Sequence, residues 1–347
     1  IGTGRIGGKA TGMLLARAIL RRERPELAAR LEPHDSFFVG SDVFITFLVH
    51  NGLWWMREAA DDLDRRLVEA ALARHRILSG SWPARAIEGF ERIVDYFGQW
   101  PFIVRSSSIL EDGFGNAFAG KYDSLFCANQ GPREQRMADV LAAARHIFAS
   151  AMSERALRYR ASRGLLDRDE QMALLVMRVA GTLAGRRLYP PVAGVAFSFN
   201  PYAWHPDIDP RAGVARIVLG LGTRAVDRVD DDYTRLVALN APDRRPETNF
   251  EEIARFAQRR ADVVDLDANQ VVSVPVEALT AQPPPGVPMD LFFSTGEDPS
   301  SAVLTFDRLF ARTHLAEDLR EMLSTLETAY ESPVDIEFTV NFPTPDT

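Results

Sequence analysis

One cysteine, Cys127, stands in 347 residues. A lone thiol excludes an internal disulfide and any metal site built from several cysteines, which leaves packing as its expected role. No apolar run reaches the length of a membrane-spanning helix, and no secretory leader opens the sequence. No membrane partner and a cytoplasmic location are therefore expected. An excess of positive charge is also missing. Lys and Arg total 40 against 48 Asp and Glu, a formal charge of -8, which excludes non-specific nucleic-acid binding. Lysine is scarce beside arginine, and this directs attention to Lys9 and Lys121. An initiating methionine is lacking as well. The sequence starts at Ile1 and stops in NFPTPDT, as expected of a piece of something longer.

What is present is an ordinary globular composition, long enough for two or three structural units and a large core. Its most informative stretch is PFIVRSSSILEDGFGNAFAGKYDSLF, residues 101–126. An apolar run delivers Arg105, then Ser106, Ser107 and Ser108, then Glu111 and a loop with Gly113, Gly115 and Gly120. Arginine can pair two phosphate oxygens at once, and glycine lets backbone N–H groups approach an anion. The same RSSS also reads as a turn with a helix N-cap.

A second glycine-rich loop opens the chain. IGTGRIGGKATGM offers N–H groups at a helix start together with the Lys9 ammonium, a grip for phosphate. It lacks the Walker pattern because Ala10 follows Lys9. A helix N-terminus with a solvated lysine is the alternative. A dinucleotide-binding unit fails on pattern, for want of a preceding strand and a following acidic residue.

Periodicity predicts helices over 10–22, 41–51, 61–73, 84–96 and 315–330, and one long helix over 133–163. A further helix is expected over 250–262 and an extended stretch over 271–279. Strands are expected at 37–39, 102–104, 172–181, 192–201, 215–222 and 333–342. The three from 172 to 222 are expected to form a central sheet. On the last strand Asp335 and Glu337 sit two apart and share a face. Such a pair suits Mg²⁺ held jointly with nucleotide phosphates. The polar side of an edge strand is the other reading.

Six motifs in order carry a resemblance: IGGKATGM, VRSSSILED, NAFAGKYDSLF, VAGVAFSFNP, GLGTRAVD and VDIEF. Together they resemble the N-terminal nucleotide-binding domain shared by phosphoenolpyruvate synthase and pyruvate phosphate dikinase. The resemblance implies an α+β, ATP-grasp fold whose subdomains enclose a nucleotide cleft. It implies ATP and Mg²⁺ as cofactors and a kinase (phosphotransferase) activity. In that activity ATP phosphorylates a histidine on a separate swivel domain, and the phosphate passes to pyruvate. Lys9 and Arg105 would contact the triphosphate as catalytic cations, with Ser106, Gly120 and Lys121 beside them. Met177, Arg178 and Val179 match the hinge that brackets adenine, and Asp335 and Glu337 the carboxylates near Mg²⁺. The expected partition is 1–110, 111–200 with the phosphate loop and hinge, and 201–347 with the carboxylates. The phosphohistidine swivel domain and the pyruvate-binding domain are expected partners missing from this sequence.

The sequence departs from the family at Met177, where glutamine is common, at Thr223, where glutamate is common, and at Lys121, where glutamine is common. Two alternatives stay open: a relative acting on another acceptor, such as an antibiotic or a glucan, and an inactive regulatory or scaffolding domain.

Overall fold

The computed structural model describes residues 1–55, 63–111, 120–226, 232–296 and 302–342. The chain forms two units. One takes Ile1–Leu15 and Pro33–Val179, the other Ala16–Glu32 and Ala180–Thr347. Helix α1 (Gly7–Glu23) runs from the first into the second, and α2 (Pro25–Ala28) follows it.

The first unit contains β1 (Ser36–Val39), α3 (Ser41–His50), α4 (Leu63–Ser79), α5 (Ala84–Phe97) and β2 (Phe102–Ser108). It continues with β3 (Ser124–Cys127), α6 (Arg133–Ser150), α7 (Glu154–Ser162) and β4 (Met172–Arg178). The strands make one antiparallel sheet in the order β1-β4-β2-β3. Period-two alternation divides its faces. Phe102, Val104, Leu174 and Val176 join the fully buried core with Phe44, Phe47, Phe90 and Phe148. Burying each such side chain stabilises by about 1.5–3 kcal/mol. Ile103, Arg105, Leu175 and Met177 lie on the other face, in register across β2 and β4.

The second unit contains β5 (Thr182–Ala184), β6 (Arg187–Tyr189), β7 (Val192–Phe197), β8 (Val214–Val218), α8 (Thr223–Val226) and β9 (Arg235–Ala238). After these come α9 (Phe250–Arg255), β10 (Arg260–Asp265), β11 (Gln270–Pro275), α10 (Val276–Thr280), β12 (Phe293–Thr295) and β13 (Ala302–Leu304). Last are α11 (Asp307–Arg312), α12 (Leu315–Tyr330) and β14 (Asp335–Val340). Its sheets run β14-β7-β8-β9, β11-β10-β6-β5 and β12-β13. Strand β14 is an edge. Ile336, Phe338 and Val340 pack on the second core, while Asp335, Glu337 and Thr339 are exposed.

Several expectations need correction. The strands at 172–178, 192–197 and 214–218 do not share one sheet. Strand β4 pairs with β1 and β2, whereas β7 pairs with β8 and with β14. The helix expected over 133–163 is two helices. It breaks at Ala151, and the Ser153 hydroxyl accepts from the Ala156 N–H to start the second. The helix expected over 250–262 ends at Arg255. Ala261 and Val263 are fully buried in β10, opposite Val274 and Val272, so alternation and pairing override the helical reading. The stretch 271–279 is extended only to Pro275, where α10 begins. RSSS is strand, not a helix start. Asp112, Gly113 and Gly115, with the loop 112–119, lie outside the described residues.

Candidate functional site

The opening glycines are explained by close approach. Asp42, at the start of α3, accepts the N–H groups of Thr3 (3.0 Å) and Gly4 (2.8 Å). A Cβ on Gly2 would lie 2.4 Å from Asp42 Oδ1, and one on Gly40 2.6 Å from it. Burial raises the Asp42 pKa, but the backbone N–H bonds from Thr3, Gly4, Asp42 and Val43 outweigh it and hold the carboxyl below its ordinary value. Two of the N–H groups that the sequence offered to a phosphate are therefore taken by a side chain of the protein itself.

Gly7 and Gly8 do something different. A Cβ on Gly7 (φ +80°) would sit 1.6 Å from the Ser107 carbonyl oxygen, and one on Gly8 1.9 Å from that of Glu111. Only glycine lets the first turn of α1 press this closely on the end of β2. The contact is locked by Ser107, whose hydroxyl donates to the Ile6 carbonyl (2.7 Å) and accepts the Ala10 N–H (3.0 Å). Ser107 shares its sheet face with Arg105, so α1 begins on the face that carries Arg105 and Met177.

This docking sets Lys9 beside Glu111. The ammonium donates to Glu111 Oε1 at 3.2 Å. Lys9 is about a quarter exposed, whereas Glu111 is 2% exposed. The buried carboxylate is fully supplied with donors: Ser106 Oγ to Oε1 (2.8 Å) and the Ser108 N–H to Oε2 (2.7 Å). Ser106 is thus buried and committed to Glu111. Below it lies a second buried acid, Glu170, which accepts from the hydroxyls of Ser108 and Tyr122. Burial, the largest influence, raises the Glu170 pKa against the pull of nearby Arg160.

The remaining expected residues of this unit are more dispersed. Gly120 is left-handed (φ +65°), and among the described residues nothing lies within 4 Å of a built Cβ. The Lys121 ammonium lies 5.1 Å from the centroid of the Tyr159 ring, which Arg163 also faces. Met177 sits in the ladder opposite Ser36 and Ile103. The Arg178 guanidinium stacks 4.1 Å from the Trp100 ring. The Val179 N–H donates to the Pro101 carbonyl (2.9 Å), and its own carbonyl accepts the Trp100 indole N–H (3.0 Å). Both main-chain polar groups of Val179 are thereby held by the adjoining residues Trp100 and Pro101.

In the second unit Asp335 and Glu337 face outward from β14, opposite Phe197 and Val195. Arg216 lies on the same face one strand further on, opposite Val195, and its guanidinium sits 5.3 Å from the Phe197 ring. Among the described residues no set of three or more His, Cys, Asp or Glu is assembled for a metal. Two carboxylate donors on one exposed face fit a Mg²⁺ ion that brings phosphate oxygens and waters with it.

The departure at Thr223 also has a physical reason. Its hydroxyl donates to Asp262 Oδ2 (2.7 Å), and Arg224 bridges Asp262 and Asp232 at 3.0 Å each. A carboxylate at 223 would face Asp262 with like charge.

Sequence reasoning named Glu111 without giving it a role, and passed over Glu170. For Glu111 a signal existed: Ser108-x-x-Glu111 has the spacing at which an acid reaches back to the serine N–H. Glu170 gave none, since its partners lie 62 and 48 residues away.

A family profile described as pyruvate phosphate dikinase, AMP/ATP-binding domain, matches residues 3–346. Comparison with curated proteins gives no match. No helix among the described residues is long and apolar enough to cross a membrane.

Proposed function

Since the chain belongs to the pyruvate phosphate dikinase AMP/ATP-binding domain family, we propose that it binds MgATP and donates a phosphoryl group to a histidine on a separate swivel domain, from which pyruvate receives it. This is phosphoenolpyruvate synthase-like chemistry, and the swivel and pyruvate-binding domains are its partners. The family match supports ATP as the ligand. The observation that carries the site is the docking of Gly7 and Gly8 on β2, which sets Lys9 at the strand end three residues from Arg105.

Each residue has a physical role in this reading. Phosphoryl transfer needs little covalent help from the protein; positioning and charge neutralisation do most of the work. Lys9 and Arg105 supply positive charge to the triphosphate, Arg105 through a planar fork and Lys9 as a compact ammonium. Glu111 takes one of the three Lys9 donors and leaves two for phosphate oxygens. Gly120 leaves room for a phosphate near its backbone, and Lys121 adds a nearby cation. Met177, Arg178 and Val179 border the base. Asp335 and Glu337 would hold a Mg²⁺ ion, which would supply charge neutralisation to a nucleotide's phosphates when bound.

Calorimetric titration with MgATP tests the reading. The wild type should bind, and K9A and R105A should each weaken binding by about 10–100-fold, as expected for losing a charged hydrogen bond. The chain has two lysines, Lys9 and Lys121, so peptide mass spectrometry after amine acylation resolves them cleanly. MgATP should slow acylation of Lys9. Absence of binding by the wild type, or unchanged affinity in both variants, would count for the non-catalytic alternative.

A further inference from the structure

Glu170 is a buried acid for which the proposed chemistry has no use. It lies 7% exposed, just before β4, and the segment that delivers it is wrapped around one cation. The Arg160 guanidinium donates to the carbonyls of Leu165, Leu166 and Arg168. Three carbonyls on one fixed guanidinium leave the chain before Glu170 little freedom. A carboxylate so buried needs donors on both oxygens. It has them, from two separate parts of the unit. Ser108 Oγ donates to Oε1, and Tyr122 Oη donates to Oε2.

Those two donors border the phosphate-gripping residues. Ser108 ends β2, three residues after Arg105. Its N–H holds Glu111 Oε2, and the other Glu111 oxygen holds Lys9. Its Oγ also accepts the Leu110 N–H at 2.9 Å, which fixes the turn that leads to Glu111. Tyr122 stands two residues after Gly120 and is 6% exposed. One carboxylate therefore ties the strand end that presents Arg105, the acid that orients Lys9, and the anchor of Gly120 and Lys121. The charged groups around it are Arg160, which favours its ionised form, and Glu111, which opposes it.

We propose that Glu170 is a positioning residue for triphosphate recognition, acting through Ser108 on Lys9 and Arg105 and through Tyr122 on Gly120. This rests on the reading that Lys9 and Arg105 bind the triphosphate. It makes a demand that a merely stabilising core acid would not. Loosening the tie should affect ligands in proportion to their phosphates and spare the nucleoside.

The test uses the full chain as wild type, Y122F and E170Q, with MgATP and with adenosine as separate ligands, alongside urea midpoints. Y122F keeps the ring and removes one hydroxyl. E170Q keeps one acceptor oxygen and presents an amide donor to a hydroxyl. Both should weaken MgATP binding about tenfold while adenosine affinity stays within about twofold. Equal losses for the two ligands, or unchanged MgATP affinity in a Y122F protein that folds, would overturn the proposal. Should E170Q fail to fold, Y122F alone decides. A wild type that binds no MgATP removes the underlying reading and this inference together. A wild type that binds, with variants that keep its MgATP affinity, removes this inference alone.

Discussion

Two glycines of α1, five residues apart, should respond to alanine with opposite sign. At Gly7 the built Cβ falls 1.6 Å from the Ser107 carbonyl oxygen, and φ is +80°. No real contact is that short, so the first turn of α1 must withdraw from β2. The left-handed backbone costs about 1–2 kcal/mol for a residue with a Cβ. Forced displacement of packed backbone adds about 1–3 kcal/mol. Gly7→Ala should therefore destabilise by about 2–5 kcal/mol. At Gly12 no described residue lies within 4 Å of the built Cβ, and the residue is inside the helix. Gly12→Ala should stabilise by about 0.5–1 kcal/mol. Urea unfolding followed by tryptophan fluorescence suits the comparison. Trp54, Trp55, Trp82 and Trp100 belong to the unit that Gly7 docks, and only Trp204 to the other. A slope of about 1–3 kcal/mol per molar urea places the Gly7→Ala midpoint roughly 1 M or more below wild type. A Gly7→Ala midpoint equal to that of wild type would refute the close-approach argument. So would a matching loss in Gly12→Ala, which would show a general sensitivity of the helix.

Two more expectations concern buried groups. Burial raises the Glu170 pKa, so the folded state holds its proton more tightly than the unfolded chain does. That stabilisation is complete below the ordinary glutamate pKa and is lost as pH rises through the raised value. The urea midpoint of wild type relative to E170Q should accordingly fall between pH 5 and pH 8, and a relative rise would contradict the direction. Cys127 is 6% exposed, and burial, with a lesser contribution from Asp139, pushes its thiol up to about 12. A thiol reagent at pH 8 should leave the native protein unmodified and titrate one thiol only after denaturation; rapid native reaction would refute the burial.

Much of this was legible locally. The G-G-K start, the strand into Arg105 and the outward pair Asp335 and Glu337 follow from spacing and alternation, because each depends on residues close in sequence. The α+β class came from the family resemblance that the six motifs carry. What stayed hidden was long-range. Nothing near 172–178 says that its neighbours are Ser36–Val39 and Phe102–Ser108, and nothing near Val192–Phe197 says that its edge partner is Asp335–Val340. The glycines of the opening loop were read as a grip for phosphate, and nothing local showed that Asp42 takes the place beside Gly2 and Gly4. Glu170 is the extreme case, an acid with no local signature whose meaning comes entirely from distant hydroxyls.

The backbone changes unit three times, after Leu15, after Glu32 and after Val179. No single scission yields both halves intact. A fragment beginning at Ala180 would forfeit Ile19 and Leu20, which pack on Leu326, and one ending at Val179 would carry residues 16–32 as an orphaned insert. Isolating either unit calls for joining its two segments directly, Leu15 to Pro33 or Glu32 to Ala180, or for co-expressing them as separate pieces, and a linear domain boundary drawn on the sequence would cut through α1 or strand it.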